Sequence, residues 1–312
     1  MVSTEPKPSG GVGGAARDRH FVTGVLPILV AALLWGSSGT AASFAPEGAS
    51  ALSVGAANMG IGGLVLLAVA GRSVLPVLRG GARTWRTVLA GAVAVAVYPL
   101  AFYTSMDLTG IATGTVVTVG STPVFTKLCE VIGERALPHG RWMGASAVST
   151  VGVALVVVGQ RHPDESPHGT GQIVAGVALG LLAGASYAVY SYTAGRLIRQ
   201  GASSRPVMGV MFGLGGLLLI PVLVVTGGPL FSTRTGLVVA GYLALVPMAL
   251  AYFLFGRGLT HVTASTAATL ILIEPVAAAV LSVAVAGEHL APLGWAGIVL
   301  VGVGLLILDN RK

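Results

Sequence analysis

Apolar residues in this chain come in long unbroken runs, not in the alternation of a half-buried strand or the one-sided stripe of a soluble helix. Ten runs are legible, at about 24–44, 51–70, 88–106, 110–129, 141–159, 172–194, 206–226, 235–255, 263–284 and 292–308. Each is close to the ~20 residues a helix needs to cross a hydrocarbon core. The polar stretches between them are too short for a soluble domain. The pattern predicts an all-α integral membrane protein with ten transmembrane helices. Residues 1–23, rich in Gly, Pro, Ser and Ala, cannot bury a core and are expected to form a disordered tail. They do not resemble a secretory signal and none is expected, since the first run is full length and has no small-residue cleavage pattern after it. Residues 309–312 form a second short tail.

Composition agrees, with 54% hydrophobic and only 9% charged residues, against roughly a quarter charged in an average soluble domain. The net charge of +7 acquires meaning only once it is placed. With the amino terminus inside, Lys7, Arg17, Arg19, Arg72, Arg79, Arg83, Arg86, Lys127, Arg135, Arg141, Arg196, Arg199, Arg205, Arg257, Arg311 and Lys312 all fall on the inner side, and only Arg161 and Arg234 fall outside. That asymmetry predicts a multi-pass protein of the cytoplasmic membrane with both termini in the cytoplasm. The positive charge is accounted for by topology, so nucleic acid is not expected as a partner. The lone cysteine, Cys129, allows no internal disulfide.

The two halves repeat a series of landmarks. Tyr98-Pro99 in the third run corresponds to Val246-Pro247 in the eighth, and Thr122-Pro123 in the fourth to Glu274-Pro275 in the ninth. Each of the latter pairs is followed by a Gly-Glu loop, Gly133 to Pro138 and Gly287 to Pro292, and both halves close on similar runs, VGVALVVV and VGVGLLIL. The offset drifts only between about 148 and 154. The chain therefore reads as two five-helix repeats, 24–160 and 172–308. Because five is odd, the second repeat enters the membrane inverted, an arrangement that places a site near the midplane between the halves.

These residues carry a resemblance. The run AALLWGSSGTAASF (Ala31 to Phe44), the proline-interrupted fourth and ninth runs, the Glu-Pro pair and the two Gly-Glu loops resemble the EamA family of the drug/metabolite transporter superfamily, over about 24–308. The resemblance implies ten helices in two EamA repeats and the export of amino acids, metabolites or drugs, without fixing a substrate.

Candidate chemistry centres on Glu274. Pro275 lacks an N–H and clashes with the carbonyl of Ile271 four residues back, so a backbone oxygen is expected to be released in mid-membrane. Such a break is tolerated only where it is buried in protein or lines a watery cavity. A carboxylate at the same depth needs a partner or a proton. Both features point to a polar cavity; the competing reading makes Glu274 a structural carboxyl that stabilises the kink. Its repeat counterpart, Thr122, is uncharged, which favours a ligand or proton role. Candidate solute-binding residues are Glu274, Trp35, Tyr98, Tyr103, Tyr187, Tyr252, Asn58 and Ser121, with Pro99, Pro123, Pro247 and Pro275 as helix kinks. Aromatics within a span offer stacking surface with a polar tip, although packing or an interfacial belt would use the same residues, and Asn58 could equally tie helices together. Gly176, Gly180 and Gly184, like Gly209 and Gly213, recur at four-residue spacing and read as close-packing seams. Lys127 and Glu130 read as a snorkelling pair at the cytoplasmic boundary, and Glu134 and Glu288 as recurring caps for the helices that follow them.

Gly36-Ser37-Ser38-Gly39 fits a Gly-x-Ser-Gly protease pattern. All six histidines fall in tails, loops or helix ends, however, so the serine has no base. There is no phosphate-binding loop to drive a pump, and nothing calls for a bound cofactor. The reading is not an enzyme. It is a secondary transporter that moves small organic solutes outward by alternating access, with proton coupling resting on Glu274. An uptake carrier, or a non-transporting sensor or scaffold, stays open. The expected partners are a small-molecule solute, protons and the lipid bilayer. In a Cys129→Ser background, a cysteine at position 79 should react only from the cytoplasm and one at Ser166 only from outside; external labelling at 79 would overturn the topology.

Overall fold

The computed structural model describes residues 21–109, 111–135, 137–159, 170–286 and 290–309. The expected tail over 1–20, most of the 160–171 loop, the Gly-Glu loop around Glu288 and the last three residues lie outside them. Among the described residues every regular element is helical. Ten long stretches stand out: α1 (Phe21–Ala42), α2 (Ala51–Leu78) and α3 (Ala82–Thr109), α4 (Ile111–Glu134), α5 (Gly140–Val158), α6 (Thr170–Arg199) and α7 (Ser204–Thr226), α8 (Arg234–Gly258), α9 (264–286) and α10 (Pro292–Asp309). Eight are long and apolar enough to cross a membrane by length and composition; α5 and α10 stand outside that set. This is a multi-pass membrane protein.

Helix follows from the solvent. Lipid offers no partner to backbone N–H and C=O groups, so each must be satisfied within its own segment. Where the chain reaches polar surroundings, side chains cap the open donors: Ser50, Thr233 and Thr263 accept from the backbone N–H of Ser53, Gly236 and Thr266 at 3.1, 3.0 and 3.2 Å. Several helices outrun their apolar runs. α2 continues through a 3-10 turn, Gly71–Val74, to Leu78, α3 begins at Ala82 and α6 reaches Arg199. Hydropathy ends at the first arginine, but the backbone ladder does not, and long basic side chains lie along apolar surface while their heads stay wet.

Packing follows the repeat. α3 lies along α6 as α8 lies along α1, α4 meets α6 as α9 meets α1, and α2 and α5 face their own counterparts, α7 and α10. Exchanging the two halves reproduces this contact scheme. The glycine seams make the close approaches. A Cβ on Gly180 of α6 would come within 2.9 Å of Ser105 Oγ on α3 and 3.0 Å of Val117 on α4, and one turn away Ser105 Oγ donates to Gly176 O at 2.7 Å. Gly209 and Gly213 of α7 bring that helix onto Ala70 and Leu67 of α2 in the same way. Gly180→Val should therefore cost about 1–3 kcal/mol of stability by overpacking. Gly144→Val, at a position with no atom within 4 Å of the added Cβ, should cost nothing comparable. Thermal unfolding of the two variants in detergent checks this.

Candidate functional site

Four prolines interrupt the helix ladder around the centre of the molecule, and each is accommodated differently. Pro123 deprives the Val119 carbonyl of its donor, and Thr122 Oγ1 takes the place of that donor at 2.7 Å. At the equivalent break in α9 the backbone tightens into a 3-10 turn over Ile271–Ile273, and the Glu274 N–H bonds to Ile271 O. The carbonyl that Pro275 was expected to release is thus recaptured by the main chain. The Glu274 side chain is not needed to hold the kink. Pro247 sits inside a π-helical stretch, Ala244–Leu250, whose wider turn makes room for the ring, and Asn58 sits in a second such stretch, Ala57–Ile61. The two wide turns lie against each other. Pro99 is carried within α3, which stays α-helical around it.

These interruptions surround a narrow central cavity of about 70 Å³ open to the centre of a water molecule. That is room for a few waters and well below the roughly 300 Å³ or more of an open small-molecule site. Its wall brings together Trp35, Asn58, Tyr98, Tyr103, Tyr187, Tyr252 and Glu274, with Pro99 and Pro247. Ser121 is elsewhere: its hydroxyl donates to Thr118 O at 3.0 Å and fills the space a Cβ on Gly184 would need, so it belongs to the α4–α6 seam. Pro123 and Pro275 shape the breaks without reaching the wall.

The wall also holds Tyr190, which the sequence reading did not single out. Its signal was available, since it follows Tyr187 by one helical turn and shares its face. Tyr190 Oη and Tyr252 Oη are 2.9 Å apart and hydrogen-bonded. Rings run continuously from one half to the other: Trp35 to Tyr252 at 4.8 Å, Tyr252 to Phe212 at 4.3 Å, Phe212 to Tyr190 at 5.4 Å, Tyr190 to Tyr98 at 5.9 Å and Tyr98 to Phe102 at 5.7 Å between centroids. Trp35 and Tyr187, Ser38 and Tyr190, Val119 and Ile271, and Thr122 and Glu274 are four wall pairs at one constant repeat offset. The cavity is thus built from the same positions of both halves. Among the described residues no lysine, arginine or histidine lines it. Among the described residues no hydrogen bond or ion pair engages the Glu274 carboxylate.

The sequence model of the EamA-like transporter family matches the chain twice, over residues 22–158 and 174–308. The chain belongs to the EamA-like transporter family. It is 36% identical to the uncharacterized transporter YwfM of Bacillus subtilis (strain 168), over 90% of this chain and 92% of that protein. It is 27% identical to the uncharacterized inner membrane transporter YicL of Salmonella typhimurium (strain LT2), over 93% and 96% of the two chains. A solved crystal structure 17% identical in sequence superposes with a TM-score of 0.75 over 91% of this chain and 95% of that one, which establishes the shared fold.

This EamA chain also contains a buried acid away from the cavity. Glu130, 2% exposed, pairs with Lys127 Nζ at 3.0 Å and accepts from the Ser265 backbone N–H at 2.9 Å and Ser265 Oγ at 2.7 Å. Ser265 opens α9, so the carboxylate also meets the positive end of that helix. Lys127 lies 5.7 Å from the centre of the Trp142 ring, and Trp142 Nε1 donates to Ser265 O at 3.3 Å. The expected Lys127–Glu130 pair forms, but its carboxylate is buried and ties the two repeats together through Ser265. Glu134 is a second correction, since it pairs with Arg199 of α6 in place of capping the helix that follows it. In the protease-like Gly36-Ser37-Ser38-Gly39, Ser38 lines the cavity while Gly36 and Ser37 are spent on packing. A Cβ on Gly36 would lie 2.7 Å from Ala277 Cβ on α9, and Ser37 Oγ donates to Leu34 O at 2.6 Å beside Tyr242 Oη at 2.8 Å. Glu130→Ala should cost about 3 kcal/mol, because Lys127, half-buried with its side chain 13% exposed, loses its partner. Glu134→Ala, at a pair about one-third exposed, should cost about 1 kcal/mol or less. Unfolding of the two variants in detergent separates them.

Proposed function

We propose that the chain is a secondary transporter of the cytoplasmic membrane that carries small organic solutes, such as amino acids, metabolites or drugs, outward by alternating access between two inverted five-helix repeats. In this reading all ten helices cross the membrane, both termini are cytoplasmic, and Trp35, Asn58, Tyr98, Tyr103, Tyr187, Tyr252 and Glu274 contact the solute. The small cavity fits a closed state that must widen to load. Kinked and π-helical segments in α2, α4, α8 and α9 supply the compliant points for such a motion.

One observation carries the reading. Glu274 lines the cavity without a partner among the described residues, while the break beside it is satisfied by backbone alone. An acid retained in apolar surroundings for structure would be engaged by that structure. An unengaged one is free to take a proton or a cationic group of a solute and to release it when access alternates. Two repeats in exchange-related contact, with the cavity between them, give that event a way to reach both sides in turn.

The test is flux into liposomes that contain only this protein, across a panel of solutes and pH values. The wild-type chain should transport. Glu274→Gln should keep expression and monodispersity yet lose most solute flux, or most of the pH dependence of that flux. Loss of binding at every pH marks a direct solute contact; retained binding with lost pH coupling marks a proton site. Normal transport by the Gln variant at all pH values would make Glu274 a structural carboxyl. No flux of any solute by the wild-type chain would favour a sensor or scaffold.

A further inference from the structure

We infer that the solute selected by this cavity is an organic cation, an amine or quaternary ammonium carried on an apolar body. The inference rests on the proposed transport for the solute's passage, and on the wall itself for its binding. Seven of the sixteen wall residues bear aromatic rings, and Glu274 is the only charged one among them. A positive charge over the face of a tryptophan or tyrosine is drawn to the ring's negative quadrupole, more strongly as water is excluded. The rings here come from both repeats, with Trp35, Tyr98, Tyr187 and Tyr252 on four different helices around the carboxylate.

The charge balance of the wall discriminates further. A cation neutralises Glu274 and removes the penalty of an unpaired carboxylate in apolar surroundings. A zwitterion or anion brings a second carboxylate into a narrow space with no basic side chain to meet it, so two like charges compete for the same hydroxyl donors. Three buried polar atoms of wall residues have no hydrogen-bond partner, Asn58 Oδ1, Trp35 Nε1 and Tyr187 Oη. Asn58 Oδ1 can accept from a solute N–H, and the indole N–H can serve a hydroxyl or carbonyl on its body. Unsatisfied groups of this kind call for an explanation, and a ligand with both features supplies one.

The experiment compares three solutes of like size on the purified full chain in lipid nanodiscs by titration calorimetry, with empty nanodiscs as the blank. They are benzyltrimethylammonium, its neutral isostere neopentylbenzene, and zwitterionic phenylalanine. The cation should bind at least tenfold more tightly than either of the others. Glu274→Gln should weaken the cation at least tenfold while leaving the neutral isostere unchanged, and Trp35→Leu should weaken the cation with the carboxylate still in place. Equal or tighter binding of the neutral or zwitterionic solute overturns the inference, as does undetectable binding of the cation. The wild-type comparison stands even if a variant fails to fold. Flux of zwitterions without cation binding would refute the cation and leave transport standing; cation binding with no flux of any solute would do the reverse.

Discussion

Backbone hydrogen bonding in a medium without water is the constraint from which the rest of this molecule follows. It makes every regular element among the described residues a helix and makes each proline in a helix interior an event that has to be compensated. The compensations are specific: a threonine hydroxyl at Val119 O, a 3-10 turn at Ile271, a π turn at Pro247. Because these are local, the side chains beside them are released for other work. Glu274 is the clearest case, a carboxylate in the place where its repeat counterpart Thr122 spends its only polar atom on the main chain.

A second constraint is the lack of a hydrophobic force between helices in lipid, which leaves close contact and polar ties to hold the halves together. Glycines on α6 and α7 supply the contact. Aromatic rings then occupy the volume that the backbones leave near the centre. Small residues at the seams and large ones at the core are thus parts of one packing solution, and the central cavity is what remains between them.

Much of this was legible in the sequence. Runs of apolar residues located the helices, and the proline landmarks located the repeat, because both are one-dimensional signals with a direct physical cause. The cavity wall was partly legible for the same reason: Trp35, Tyr98, Tyr187 and Tyr252 are large amphipathic residues in mid-run. Tyr190 required the three-residue step from Tyr187 to be read as a shared face. Ser121 looked equivalent to its neighbours, but which side of α4 faces α6 is decided by Gly184, on another helix. The Lys127–Glu130 pairing was legible as a three-residue step, but the tie from Glu130 to Ser265 was beyond reach, since Ser265 lies 135 positions away in the other half. Helix ends were read short wherever arginines begin, because hydropathy reports the medium and not the ladder.

The tie at Glu130 gives the molecule a polarity that its repeat lacks. One repeat offset along, the sequence has Ala279 and Ser282 in place of Lys127 and Glu130, so no acid–base pair can form at the opposite end. Parting α4 from α9 at the Glu130 end strips a carboxylate of both its Ser265 donors at once, while among the described residues no such tie joins the two helices at the other end. The seam between α4 and α9 is therefore stronger at one end than at the other, an asymmetry written in side chains on a backbone that repeats.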